Sequence, residues 1–582
     1  MTDDGRDPDL DADEVDTDAD EADTDADEVD PVIDGDDGPT DEADGETGPY
    51  RVFWADEVAD AIEARSPEDP IVIKGGVSPS GIPHLGHFNE IMRGYYVAAV
   101  LRERGHEVRQ VFTADDRDAL RKVPRTLADA DWNLVGLGDV DAGALGRNLG
   151  VPYTSIPDPF DDCDHDSYGD HFSSLLDESA ERIGVTVEML SNTAMYEAGD
   201  FDDVVHHVLA NADTAREVLS AYQGGVDDSY VPFMAQCAEC GRLTTAIVGV
   251  DLDARTVDYV CSGLEAGGQQ IEGCGHEGTA TFREGKLPWR FEWPAQWQVL
   301  GVDFEPFGKD HAEGSWPSGE EIARTVLGIE PPVPMTYEWF TLNGEPLSSS
   351  SGNVVTVDEV LTLLEPEVLR YFFVRNPKKA KDFDLSRLDQ LVDEFDRFER
   401  VYFGEVDDDT VEALADRAYP FVVDDVREER VRIPYTFAAV LGMTDDPELR
   451  ERMARNEGHI ADDTPAWAVE EALARVEKAR AWAERMDNEY NYRLQADLPD
   501  VDVDPPVAAA LDDLADFVAE GHAGEEIQGQ MYELPDEHGI ETGAFFGAGY
   551  RLFFDADSGP RLGEFLGELD REFVVTRLRR EG

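Results

Sequence analysis

An α/β fold is predicted, in which a doubly wound parallel sheet is interrupted by a cysteine-bearing insertion and followed by an all-helical C-terminal region. Three observations predict it. A short apolar run, Ile71-Val72-Ile73, feeds a Gly/Pro-rich loop, a helical pattern from His84 to Gly105 and a further strand-like run, Glu107–Ala114. Four cysteines gather in the strand-like stretch 237–282. Beyond about residue 390 nearly every segment has amphipathic helical periodicity.

Taken in order, residues 1–47 are Asp/Glu/Thr/Ala/Gly repeats with few large apolar side chains, and are expected to be a disordered acidic extension. Trp54–Arg65 reads as a helix. Residues 48–150 are assigned to the first half of the α/β domain, ending each strand in a turn signal such as Gly75-Gly76. Residues 151–285 are read as an insertion, helical over 168–224 and strand-like afterwards. The α/β pattern resumes over 286–390, with Leu347–Asn353 (LSSSSGN) on a loop, and 391–582 form the helical region. No fixed-period repeat is present, which argues against a solenoid.

The charge is extreme: 582 residues carry 130 acidic and 48 basic side chains, for a net charge of −82. The excess is not confined to the acidic extension, and lysine is scarce, at 8 residues. The apolar fraction of 41 % is nonetheless that of a core-forming chain. This combination fits a protein that works in molar salt, where the Debye length shrinks to about 3 Å and self-repulsion is screened. No apolar run approaches a membrane span and no secretory pattern precedes the body, so a cytoplasmic protein is expected. A reducing compartment also suits the cysteines as metal ligands better than as disulfides.

His84-Leu85-Gly86-His87 falls where a Gly-rich loop turns into a helix after the first strand. Helix N-termini carry unpaired N–H groups and positive potential, which suits phosphate. Gly86 lets a ring pack on the backbone, and two imidazoles three residues apart can reach one side of the opening turn. Such a pair can stabilise charge developing on an α-phosphate during adenylyl transfer without acting as a base. Cys237-x2-Cys240 is a strong zinc signal, with the second half open: Cys261 with Cys274, or Cys274 with His276. The metal is read as structural Zn2+. Cys163 and His165 lie in the acidic run DDCDHD, where they could bind a metal but read more readily as part of a solvated loop, and Trp293 and Trp297 read as core.

PSGIPHLGH resembles the HIGH signature of class I aminoacyl-tRNA synthetases. Gly75–Gly81 (GGVSPSG), Asp115–Pro124 (DDRDALRKVP), Val302–His311 (VDFEPFGKDH) and REFVVTRLRR near the C-terminus resemble the class I lysyl-tRNA synthetases of archaea in particular. The likeness runs over about residues 50–582. It implies a Rossmann-type catalytic domain with a zinc-ribbon-like insertion and an anticodon-binding helical region. It also implies ATP-dependent activation of lysine to lysyl-adenylate, and transfer of the lysyl group to tRNA(Lys), with Mg2+. His84, Gly86 and His87 are then the catalytic positions. ATP would be held by Pro79, Ser80, Gly81 and Pro83, by Ser348, Ser349, Ser350, Ser351 and Gly352, and by Lys309. Lysine would be held by Gly76, Ser78, Trp289, Asp310, His311 and Tyr337, with Trp289 as an aromatic wall.

The second class I signature, KMSKS, matches LSSSSGN in position, but its two lysines fall on Pro346 and Ser349. That departure keeps two rivals in view, a non-catalytic tRNA-binding paralogue and a class I synthetase for another amino acid. Basic residues gather at Arg375, Lys378, Lys379 and Lys381, and again at Arg577, Arg579 and Arg580, as candidate tRNA contacts. Asp115 and Asp116 follow a strand but read more readily as surface. The sequence leaves the oligomeric state open, with a monomer favoured.

Overall fold

Five parallel strands form the central sheet of the α/β part of the protein. In the computed structural model, which describes residues 52–140, 142–160, 163–266, 269–347, 353–427 and 430–581, they are β1 (Ile71–Val77), β2 (Val108–Ala114), β3 (Glu188–Ser191), β4 (Phe304–Gly308) and β5 (Val333–Tyr337). Their spatial order is β5-β4-β1-β2-β3. β1 pairs with β2 from Ile71↔Val108 to Val77↔Ala114, and with β4 at Ile73↔Phe304. Successive strands thus run outwards from β1 in one direction and, after β3, resume on its other side. The switch point lies between β1 and β4, where open α/β sheets bind ligands beyond the carboxyl ends of the strands.

β1 is apolar apart from Lys74 and is buried on both faces, as a central parallel strand must be. Helix α1 (Trp54–Glu63) buries Ala55, Ala59 and Ile62. Helix α2 (His87–Glu103) follows the β1 loop and is buried almost all round, with Phe88, Ile91, Met92, Tyr96, Val97, Val100 and Leu101 inside. Gly105, at φ +97°, stops it in the left-handed conformation that favours glycine.

The stretch 168–224 differs from the helical reading. Helix α3 (Tyr168–Arg182) is followed by β3, which pairs with β2 and forms the sheet edge. Four residues, EMLS, are too short to show a period, and only the partner strand makes them extended. Cys237, Cys240, Cys261 and Cys274 lie in the turns between short antiparallel strands, among them Met234–Gln236, Ile247–Asp251, Thr256–Val260 and Glu277–Thr281. Helix α4 (Trp289–Leu300) then leads back to β4.

Beyond β5, strand β6 (Phe340–Leu342) pairs in parallel with β7 (Lys381–Phe383), and the chain is helical from Leu388 onwards. One apolar core runs from Phe53 through the parallel sheet to Leu578. The buried guanidinium of Arg370 joins these regions, donating to the carbonyls of Ile183 (3.0 Å) and Val422 (2.6 Å) and to Asp424 (2.9 Å). No helix among the described residues is long and apolar enough to cross a membrane. The acidic extension and Ser348–Gly352 lie outside the described residues.

Candidate active site and metal-ligand clusters

The loop after β1 and the start of α2 place the two histidines. Their rings stack, with centroids 3.9 Å apart and planes at 24°. A Cβ on Gly86 would lie 2.8 Å from the His84 ring, so only glycine admits this packing. The Gly86 N–H donates to His84 Nδ1 (3.1 Å) and the His84 N–H to His87 Nδ1 (3.3 Å). Each neutral ring therefore carries its proton on Nε2, where it can donate outwards. Burial pushes His84 down to about 4 and His87 well below its ordinary value, helped in His87 by its neighbour. Both are neutral donors at neutral pH, suited to a developing oxyanion and not to proton abstraction.

A narrow cleft beside His87 is walled by Val77, Ser78, Pro79, Gly81 and Pro83. The Tyr168 hydroxyl donates to the Ser80 carbonyl (2.8 Å) and ties this loop to α3. The segments flanking the Ser-rich loop return to the same place. The Leu85 N–H donates to the Val355 carbonyl (2.9 Å), Leu347 would be 3.7 Å from a Cβ on Gly86, and the Asn353 amide donates to the Pro346 carbonyl (2.8 Å). Lys309 is half-exposed, 2.7 Å from Glu338 and with its ammonium 5.1 Å from the centre of the Trp339 ring.

The residues expected around lysine come from the carboxyl ends of β1, β4 and β5 and the start of α4. Gly76 is confined: a Cβ there would lie 2.3 Å from Thr113 Oγ1. The Ser78 hydroxyl donates to Asp118 (2.7 Å). Trp289 stacks on Trp293 at 5.1 Å, lies 6.4 Å from the His311 ring, and its buried indole N–H has no hydrogen-bond partner among the described residues. His311 Nε2 is 3.4 Å from Asp310. The Tyr337 hydroxyl donates to Glu90 (3.0 Å).

Beneath this pocket lies a network of buried charge absent from the sequence reading. Lys74 Nζ is 2.7 Å from Glu305, which also accepts from the indoles of Trp293 (2.8 Å) and Trp297 (2.5 Å). The two tryptophans are core, and they hold a carboxylate. Lys286 pairs with Asp118 and, at 2.5 Å, with Glu292. Asp115 and Asp116 are buried, not surface: Asp115 accepts from Gln296 (2.8 Å) and Asp116 from the Thr193 N–H (2.7 Å). In so acidic a chain a single aspartate carries no sequence signal; only the position just after β2 pointed to these two.

Protein-family comparison matches residues 52–422 to the model described as tRNA synthetases class I (K). The chain belongs to that family. A protein of Haloarcula marismortui named lysine--tRNA ligase is 68 % identical to this synthetase over 92 % of the chain and 98 % of its own length. A lysine--tRNA ligase of Natronomonas pharaonis is 66 % identical over the same shares, and one of Pyrococcus horikoshii is 33 % identical over 91 % of this chain and 100 % of its own.

The synthetase brings two ligand clusters together. The sulfurs of Cys237, Cys240, Cys261 and Cys274 lie within 4.8 Å of one another, with Cys237–Cys274 and Cys240–Cys261 both at 3.6 Å. A tetrahedron with Zn–S of about 2.3 Å has edges of about 3.8 Å, so these four fit zinc. His276 is outside the cluster; its carbonyl accepts from the Cys261 N–H (2.8 Å). A second cluster forms around Cys163 and His165. Cys163 and His165 meet Asp158 and the buried His171, with Cys163 Sγ 3.3 Å from His171 Nδ1 and Asp158 3.2 Å from the same atom. His171 Nε2 pairs with the Ala128 carbonyl (2.9 Å), which leaves Nδ1 for a metal. His171, six residues on and inside a helix, hid the pattern.

Of the two basic groups, the C-terminal one is consumed by the fold. Arg577 is buried and donates to the carbonyls of Gln495, Ala496, Asp497 and Leu552, while Arg579 and Arg580 pair with Asp516 and Asp512. In the other group Arg375 pairs with Glu394 and Lys381 is largely buried, whereas Lys378 and Lys379 are exposed with no carboxylate partner among the described residues.

Proposed function

We propose that this synthetase is a lysine–tRNA ligase adapted to molar salt, activating lysine with ATP and esterifying tRNA(Lys). The observation that carries the reading is the neutral His84–His87 pair at the sheet's switch point, facing the same strand ends that supply Gly76, Asp310, His311 and Tyr337. Near-full-length identity to haloarchaeal lysine--tRNA ligases supports it.

The lysine carboxylate attacks the α-phosphate of ATP, giving lysyl-adenylate and pyrophosphate. The outward Nε2–H groups of His84 and His87 donate to the phosphate oxygens as charge builds there, and the loop from Pro79 to Pro83 positions the nucleotide. A terminal hydroxyl of the tRNA then attacks the adenylate carbonyl, and AMP leaves. Mg2+ would accompany the ATP phosphates and supply counter-charge. Lys309, together with the Ser348–Gly352 run that the family resemblance assigns to ATP, would serve the departing pyrophosphate. Trp289 offers a wall for the aliphatic stem of lysine.

Two zinc ions would be structural. Cys237, Cys240, Cys261 and Cys274 would hold one, and Asp158, Cys163, His165 and His171 the other; four protein ligands each leave no open position for chemistry. Lys378 and Lys379 are the proposed tRNA contacts, the protein acting in the cytoplasm. The deciding experiment is ATP–pyrophosphate exchange at molar KCl with each amino acid, followed by charging of tRNA. Lysine-dependent exchange is expected. Exchange with another amino acid alone would reassign the substrate, and tRNA binding without any exchange would make the protein a non-catalytic paralogue.

A further inference from the structure

Two buried cations lack an acidic partner among the described residues, in a chain where acids outnumber bases by 130 to 48. Arg93, on α2, is 3 % exposed. Its guanidinium donates to neutral oxygens: Asn89 Oδ1 (2.8 and 3.1 Å), the Phe373 carbonyl and the Arg375 carbonyl (3.3 Å). Lys381 opens β7, opposite Phe340 of β6. Its ammonium nitrogen is shut off from solvent, lies 5.8 Å from the centre of the Phe372 ring, and has no hydrogen-bond partner among the described residues. Arg375 joins them from the end of the helix Pro366–Val374; its acidic contact, Glu394, is half-exposed. Three elements distant in sequence thus bring three positive charges together, and one surface carboxylate meets them.

We propose that Lys381, Arg93 and Arg375 form a binding site for a monatomic anion, which is chloride in the molar salt that the charge of this chain suits. An ammonium taken out of water is costly unless it is paired, and a buried lysine without a counter-charge sheds its proton instead. Burial, helped by the charges of Arg93 and Arg375, pushes Lys381 down to about 6, and an anion beside Nζ restores the ammonium. Arg93 has no such escape: burial brings it only to about 10, so it stays charged at neutral pH. The cluster therefore keeps a fixed positive charge that Glu394, spent on Arg375, does not balance. A monatomic ion fits this place better than a phosphate carried on a nucleic-acid strand. The Lys381 nitrogen is enclosed, whereas a strand would meet the exposed Lys378 and Lys379 first. The net charge of −82 repels anions from the surface at large, so only a local excess of cations can hold one. Concentration then fills the site: a dissociation constant of about 0.1 M, negligible in dilute buffer, gives about nine-tenths occupancy in molar chloride.

The test compares the full chain with Lys381→Met in thermal unfolding, as potassium glutamate is replaced stepwise by KCl at constant potassium and pH. General salt effects act on both proteins alike. Chloride is expected to raise the wild-type midpoint relative to that of the variant by about 2 °C, along a saturating curve. Wild-type crystals soaked in KBr are expected to show an anomalous bromide peak in contact with Lys381 Nζ. Chloride-35 NMR line broadening by the full chain should persist when tRNA is added. The same chloride response in both proteins, or no bromide at Lys381, would overturn the proposal. Loss of the bound ion on adding tRNA would assign these cations to a backbone phosphate and overturn it as well. Should Lys381→Met fail to fold, the bromide and NMR measurements on the wild type decide alone.

Discussion

Lys74 Nζ stands 2.7 Å from Glu305 Oε1, joining β1 to β4 under the pocket, and both side chains are almost wholly buried. Removing one partner leaves the other charge uncompensated in a low-dielectric interior, a cost of about 3–5 kcal/mol. Lys74→Met is expected to lose that much stability in denaturant unfolding at constant high salt. A loss below about 1 kcal/mol would show that the pair contributes little.

His84 and His87 act as neutral donors, so replacing either with Ala should lower the rate of lysine-dependent exchange by about 100- to 1,000-fold with little change in lysine KM. Pre-steady-state adenylate formation checks this directly, and a loss confined to KM would contradict it.

The same pair sets a pH dependence for stability. Burial depresses His84 to about 4 in the folded protein, against an ordinary 6.5, so the unfolded chain binds more protons between those values. The contribution is complete above pH 6.5 and is lost as the pH falls towards 4. His84→Gln should flatten the decline in unfolding midpoint between about pH 6.5 and about pH 5 relative to the wild type. Parallel declines would mean the histidine does not titrate as described.

Metal analysis of the protein purified without chelator should find two zinc ions per chain. Cys237→Ser and Cys163→Ser should each reduce this to one, and chelation should lower the unfolding midpoint, because structural zinc contributes about 10 kcal/mol or more of binding free energy. A count of one in both the wild type and Cys163→Ser would remove the second site.

Lys378→Glu with Lys379→Glu should weaken tRNA binding by a similar factor for any tRNA and reduce the slope of log K against log salt by about 1 to 2. Lysine-dependent exchange without tRNA should be unaffected. Filter binding at a series of KCl concentrations separates this from a folding defect.

The parallel sheet was legible because β1, its loop and α2 are contiguous and their periodicities differ. The HLGH turn was legible for the same reason: its chemistry is local. β3 was not, since four residues become a strand only through β2. Glu90, Lys286 and Glu292 were silent because a carboxylate in this acidic chain looks like every other until burial selects it, and its lysine partner is equally mute. Of the second ligand cluster only Cys163 and His165 were legible, as Asp158 and His171 are separated from them by a turn and part of a helix. Arg577 shows the opposite error: a basic run near the end of the chain looked like an RNA contact, yet four backbone carbonyls claim its guanidinium.

The unbroken core from Phe53 to Leu578, pinned by Arg370, has an evolutionary consequence. A lineage cannot exchange the helical region of this enzyme for another as one exchanges a cassette on a linker, because a cut near residue 390 would open apolar surface on both pieces. Changes in the helical region must therefore arrive one side chain at a time, on the outer faces of helices whose inner faces are already packed against one another.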